Sequence, residues 1–423
     1  MKKSLFYYLL LIGLLTMGTA LASCSNDGDG PNVKDEEPAQ YSIKLSAPQK
    51  KVLEQSNDFA FNVLKAINSE NANVFVSPYI LGQALAMLAN GAEGDTFDEI
   101  ASVLKIGDGT NIDDINSFYA TMNTALTADI KCSSKVAVAN SLWINKQFEN
   151  GVKSSYQNDM LTHYGAMVEA LDFLDEKTIG TINDWSREQT GGLIPTIINE
   201  LDANKERAIL LNSLYFKGLW NYFPKKNTYY DNFRNQFDRN EKVKMMKSDK
   251  CELNGFITDD ELMAEFDYGG KAFQMQVIMP RKQKINDYIA SMDGDKFAQL
   301  ASYLMKSESQ VAMPKFKCAY SYNLVEPLKK MGIEKVFVSG QLGKISSKPL
   351  FLTEARQNTT IEVNEEGSIA TATTRLNTSG DTSPGFLPKE FIIDHPFIYL
   401  IRERQTGAIL FIGKVQTMEG MQN

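Results

Sequence analysis

Two histidines, His163 and His395, are the only side chains of the 423-residue chain whose ordinary pKa lies near neutral pH. A Ser-His-Asp or Cys-His site needs one of them beside a nucleophile. His395 precedes Pro396 at a turn into an apolar run, and His163 follows a helical stretch; neither belongs to a nucleophile motif. There is no G-x-S-x-G, no Walker loop and no H-E-x-x-H. Carboxylates are plentiful, but nothing in their spacing marks an acid–base pair. Cys132, Cys251 and Cys318 stand far apart, which is neither a disulfide framework nor a zinc pattern. They read as small apolar core residues. The expectation is a protein that is not an enzyme and holds no metal or cofactor.

One stretch has chemistry of another kind. Ile361-Glu362-Val363-Asn364-Glu365-Glu366-Gly367 alternates like a strand. Ser368-Ile369-Ala370-Thr371-Ala372-Thr373-Thr374 follows, all small or β-branched, and Asn377 to Gly385 reads as an exposed loop. A loop of this length without structure of its own is usually functional or disordered. Laid out as a strand, Ser368, Ala370, Ala372, Thr374 and Leu376 face one way, with no charge among them. Ile369, Thr371, Thr373, Arg375 and Asn377 face the other way. Such a segment can slide between two strands over a packed core. Gly367 supplies the hinge, because glycine tolerates unusual backbone angles.

The elements that must position this stretch are legible in outline. Val52, Ser56, Phe59, Ala60, Val63, Leu64 and Ile67 recur at helical spacing. Ser77-Pro78 starts a second helix with a good N-cap and a tolerated first residue. That helix is apolar nearly all round and should be buried. Strand-like runs appear at Lys135 to Ile144, Arg207 to Phe216, Phe273 to Met279 and Phe391 to Ile401. Mixed elements without a strict βαβ rhythm indicate an α+β fold with large sheets. No interior linker divides the chain, so residues 49–420 read as one domain.

Composition narrows the partners. The chain is 43% hydrophobic and 23% charged, with net charge −8, a poor match to nucleic acid. Met1-Lys2-Lys3 and the apolar run Leu5 to Leu15 describe a secretory signal over residues 1–23. Leu21-Ala22-Ser23-Cys24 resembles the lipobox of bacterial lipoproteins, which implies cleavage before Cys24 and lipidation of its thiol. Residues 24–48 are rich in Asn, Asp, Glu, Gly and Pro and read as a flexible tether. Asp27 and Asp29 resemble export signals of Gram-negative lipoproteins, so the expected place is the outer membrane or cell surface.

From about Lys50 to Val415 the chain resembles the serpin family. Asn73-Val74-Phe75-Val76-Ser77-Pro78 and Met87 to Ala92 look like the serpin second-helix motif. Ile182 to Trp185 and Thr190 to Ile194 are similar to the helix that crosses the main sheet. Asn212 to Trp220 resembles the central strand and the breach tryptophan, Trp220. Met313 to Phe316, Tyr322 to Leu324, Met331 to Ile333, Asp394 to Phe397 and Phe411 to Val415 match further blocks.

The resemblance implies three β-sheets, about eight or nine helices and an exposed reactive loop over about residues 367–390. It implies a monomeric suicide-substrate inhibitor that forms a covalent 1:1 complex with a serine, or also a cysteine, endopeptidase. The alternative is a non-inhibitory binding protein that is merely cleaved. The implied hinge is Glu365, Gly367, Ser368, Ala370 and Ala372, and the implied breach is Trp220, Lys315 and Glu365. A Lys315–Glu365 pair could latch the top of the sheet, or be a surface pair worth about 0–1 kcal/mol. The shutter beneath the sheet keeps Ser77 and Asn212, but Ile80 and Gln357 stand where the family has Ser and His. Gln357 can still donate and accept hydrogen bonds. Counting from Glu365 puts the reactive bond at Asp381-Thr382; counting back from Pro396 puts it near Gly385-Phe386. Arg375 would suit a trypsin-like protease but leaves too short a strand to insert. Small residues at Thr382 and Ser383 point to elastase-like or subtilisin-like targets.

Overall fold

The computed structural model describes residues 38–39, 41–130, 132–147, 151–338, 340–368 and 389–421. Among the described residues the helices are α1 (Ala47–Ile67), α2 (Pro78–Gly91), α3 (Gly94–Leu104), α4 (Ile112–Leu126), α5 (Ser154–Tyr164), α6 (Thr178–Gln189), α7 (Ile285–Ala290), α8 (Gly294–Ser302) and α9 (Val325–Lys330). The strands are β1 (Val74–Val76), β2 (Lys135–Asn145), β3 (Met167–Leu171), β4 (Ala208–Leu219), β5 (Tyr229–Arg234), β6 (Asn240–Ile257), β7 (Glu261–Asp267) and β8 (Phe273–Pro280). They continue as β9 (Met305–Pro314), β10 (Phe316–Asn323), β11 (Glu354–Asn364), β12 (Gly367–Ser368), β13 (Lys389–Ile392), β14 (Phe397–Glu403) and β15 (Ile409–Val415).

Local chemistry sets the first helices. Ser46 and Gln49 form a capping box at the start of α1, and Val52, Phe59, Ala60, Val63, Leu64 and Ile67 are buried along one face. Ser77 caps α2 by accepting the Ile80 N–H, with Pro78 at the first turn. Every residue of α2 except Asn90 is buried, as a sequence apolar nearly all round requires.

One sheet runs β10-β11-β12-β4-β2-β3. Side chains alternate across it. Leu142, Leu210 and Leu214 join the main core with α2. Trp143, Ile209 and Leu211 join Ile182 and Trp185 of α6, which lies on the opposite face. Trp143 and Trp185 meet edge to face with centroids 5.5 Å apart. The remaining strands form the path β1-β15-β14-β8-β7-β6-β9-β13, with β5 on β6. Two of the expected sheets run together here through β6, an 18-residue strand. Its first part pairs β5 and its last part pairs β7. Its pairing with β9 shifts between Ser248 and Cys251.

The structure revises three sequence expectations. The run from Phe391 to Ile401 is two strands, β13 beside β9 and β14 between β15 and β8. The chain leaves β9 after Ile393, and Pro396, which lacks an N–H and restrains the residue before it, stands directly ahead of β14. Residues 41–48, placed at the end of the tether, are docked. Ala39 N–H donates to Gly270 O at 2.8 Å, and Tyr41 hydroxyl to Ala272 O at 3.0 Å and to Glu403. Cys132 and Cys251 pack against the core while partly exposed, at its rim rather than inside it. Burial still pushes the Cys251 thiol up to about 11, with a Ser248 hydrogen bond opposing.

Candidate functional site

The site is a slot between β11 and β4, closed at one end and started at the other. At its foot the strands pair in parallel, Glu354 to Gln357 against Ile209 to Asn212. At its mouth β12 lies between them, antiparallel to both: Gly367 and Ser368 pair with Asn364 and Val363 on one side, and with Leu219 and Gly218 on the other. Between these ladders, no described strand fills the space between residues 358–362 of β11 and 213–217 of β4. A central strand bonds on both edges, so such facing edges are a place for one.

The mouth is built around Trp220. Its ring is buried and stacks on Tyr268 at 5.4 Å and 5°. Its backbone N–H donates to Glu366 O and its indole N–H to Asn364 O, both at 3.0 Å. These bonds tie the turn between β11 and β12 to the end of β4. Ser368 is buried, with its hydroxyl 2.7 Å from the Tyr268 hydroxyl. Gly367 has φ of +132°, and a Cβ there would sit 2.1 Å from Gly218 O. Gly218 in turn leaves room for the Tyr268 and Phe216 rings.

Lys315 Nζ lies 2.8 Å from Glu365, whose side chain is 6% exposed, and Thr228 hydroxyl donates to the same carboxylate at 2.6 Å. Burial works to raise the Glu365 carboxyl, but the Lys315 and Thr228 hydrogen bonds outweigh it and hold it below the ordinary glutamate range. Lys225 pairs with Glu366 beside it.

Beneath the slot, Gln357 grips the backbone at the start of α2. Its amide oxygen accepts Ser77 N–H at 2.7 Å and its amide nitrogen donates to Ser77 O at 2.9 Å. Ser77 hydroxyl donates to Leu410 O at 2.7 Å. Asn212, the register partner of Gln357, donates to Asn140 at 2.7 Å, and Asn140 donates to Gln83 at 2.8 Å. Ile80 is fully buried. The two histidines stand apart from all this. His395 contacts Asp394 at 2.6 Å and His163 is half-buried on α5.

The structure thus brings Trp220, Lys315, Glu365, Gly367 and Ser368 together at the mouth, and Ser77, Asn212 and Gln357 below. Ala370, Ala372, Asp381, Thr382, Gly385, Phe386 and Cys24 lie outside the described residues. Sequence reasoning missed Tyr268, Thr228, Glu366 and Gly218. Only Gly218 carried a signal, as a glycine inside a strand.

A family model described as serpin (serine protease inhibitor) matches residues 54–418. The chain is a serpin. Iripin-1 of Ixodes ricinus is 32% identical to this serpin over 372 residues, 86% of this chain and 94% of that protein. Leukocyte elastase inhibitor of Bos taurus is 30% identical over 379 residues, covering 85% and 97%. Among solved structures, the thermophilic serpin tengpin in its native state superposes with TM-score 0.79 at 25% identity, covering 92% of this chain and 100% of that one. Human thyroxine-binding globulin gives 0.79 at 26%, covering 88% and 100%. Serpins are mainly inhibitors rather than enzymes, and this one has the family fold.

Proposed function

We propose that this serpin is a suicide-substrate inhibitor of serine endopeptidases. The observation that carries the reading is β12, two residues of strand seated at the mouth of the slot and antiparallel to both walls. A target protease attacks the carbonyl carbon of the reactive bond. An acyl-enzyme ester forms and the new amine terminus leaves. The freed segment from Gly367 then enters the slot and carries the protease with it. An entering central strand bonds through every N–H and C=O it has. At roughly 0.5–1.5 kcal/mol net per bond, a strand of about ten residues outweighs the four-residue ladder it displaces. Displacement of the captured protease disrupts its site before water cleaves the ester.

Small residues near Asp381-Thr382, with Gly385-Phe386 as the alternative bond, favour elastase-like or subtilisin-like targets. The leukocyte elastase inhibitor relative fits that choice. The similarity to thyroxine-binding globulin supports a second reading, a non-inhibitory binding protein. Mixing with an elastase-like protease separates the two. A denaturant-stable 1:1 adduct supports inhibition, and cleaved protein with free, active protease supports the second reading. Mass spectrometry of the fragment released from the adduct fixes the reactive bond.

The anchor is the other part of the proposal. Cys24 carries lipid and holds the monomer on the outer membrane or cell surface of a Gram-negative bacterium. Several acyl chains at about 0.8 kcal/mol per buried methylene suffice for this. Cys24→Ala releases the protein from membranes if this is so; persistent membrane association overturns it.

A further inference from the structure

The foot of the slot holds charges that an entering strand must push past. Glu354 forms the first rung of the parallel ladder, opposite Ile209, and is 7% exposed. Its Oε1 accepts from the Arg356 guanidinium. Its Oε2 is buried with no hydrogen-bond partner. An unmet buried acceptor costs about 1–3 kcal/mol, more when charged. The backbone brings Glu206 beside it: on the turn that leads into β4, the next residue's N–H, that of Arg207, donates to the hydroxyl of Thr353, the neighbour of Glu354, at 3.3 Å. Glu206 Oε2 accepts the Asp202 N–H at 2.8 Å, which leaves its other oxygen to bear a proton. Burial above all, with the Glu354 charge adding to it, holds the Glu206 carboxyl above its ordinary range; the Asp202 N–H and Arg356 oppose this only in part.

We propose that Glu206 holds a proton toward Glu354 across the closed foot of the slot, and that this proton governs how readily the sheet opens for the loop. Protonated Glu206 donates its O–H to Glu354 Oε2 and meets the one unmet acceptor. Loss of that proton to solvent leaves two carboxylates facing each other, with one guanidinium between them. The other charges around the pair are largely engaged elsewhere. Arg356 also reaches Glu200 at 3.6 Å, Asp202 pairs with Lys205 at 2.9 Å, and Arg207 lies over the Phe351 ring at 4.6 Å. Separating β11 from β4 parts the two carboxylates, so the closed sheet binds the proton more tightly than the open one. By linkage the closed state loses stability as pH rises above the ordinary glutamate value of 4.5. Opening, and with it insertion, quickens with pH. Glu206 and Glu354 are positioning residues in this scheme, and it rests on the insertion reading above.

The test needs no protease. A synthetic peptide with the sequence of residues 368–381 is mixed with the intact full chain, and its entry is followed by the gain in melting temperature. Between about pH 5 and about pH 8 the wild-type entry rate should rise by about threefold or more. Glu206→Gln keeps a donor toward Glu354 at every pH, so its rate should be slow and flat. Melting of the intact chain gives a second readout. Wild type should lose stability relative to Glu206→Gln as pH rises through the same window. A variant that follows the wild-type pH profile in both measurements overturns the proton site. A peptide that enters neither protein at any pH overturns the insertion reading itself, and the proton site with it.

Discussion

Gly367 and Gly218 face each other across the mouth of the slot so closely that a single methyl on Gly367 would meet the Gly218 carbonyl oxygen at 2.1 Å. The pair is what lets β12 lie flat between β11 and β4. Gly367→Val adds a branched side chain at φ +132° and against that carbonyl. Strain at such a position costs about 1–3 kcal/mol. The variant should lower the melting temperature of the intact protein and reduce the yield of covalent adduct, read by thermal unfolding and by gel. Unchanged values for both would show that the close approach is dispensable.

The Lys315–Glu365 latch should have an acid limb. Glu365 is held below its ordinary pKa, so the folded state resists protonation there. Its contribution is present above the unfolded value of 4.5 and is lost as pH falls through the lowered folded value. Lys315→Ala should cost about 1–2 kcal/mol at neutral pH, between the limits for exposed and buried pairs. Denaturant melts at neutral and acid pH check this. The gap between wild type and variant should shrink in acid.

Gln357 bonds both the N–H and the C=O of Ser77. Gln357→Ala leaves both groups buried without partners, at about 1–3 kcal/mol each. Intact protein should lose about 2–6 kcal/mol of stability in urea. Gln357→His should introduce a pH dependence near pH 6 to 7 that the wild type lacks at this position, because imidazole titrates there and an amide does not.

Insertion should tolerate no bulk on the inward face. Ala370→Arg should shift the outcome of mixing with an elastase-like protease from adduct to cleaved protein. The ratio of the two bands on a denaturing gel measures it. An unchanged ratio would remove Ala370 from the inserting face.

The sequence was readable wherever the physics is local. Ser77 and Pro78 announce α2 because a cap and a proline act on the next turn only. The alternation of Leu142, Trp143, Ile209 and Leu210 follows from the pleat. Lys315 and Glu365 could be paired only through the family resemblance, since fifty residues separate them. Tyr268 under Ser368, and Glu206 beside Glu354, left no trace in local pattern. Each is an ordinary residue made special by a neighbour about a hundred or more positions away. The break between β13 and β14 was hidden for another reason. Pro396 reads as part of a turn, yet the strand-like run passes through it because apolar residues continue on both sides; β13 ends at Ile392 and β14 begins at Phe397, directly after the proline.

The two rungs already made by Gly367 and Ser368 have a consequence for timing and accuracy. A strand that must find its own alignment can enter one residue out of step, which would turn every side chain to the wrong face. On the proposed mechanism the alignment is fixed before any bond is cut, so a cleaved loop would have only to zip downward from a start that exists. The rate of such an insertion would depend on how fast the walls part, not on a search for the first contact.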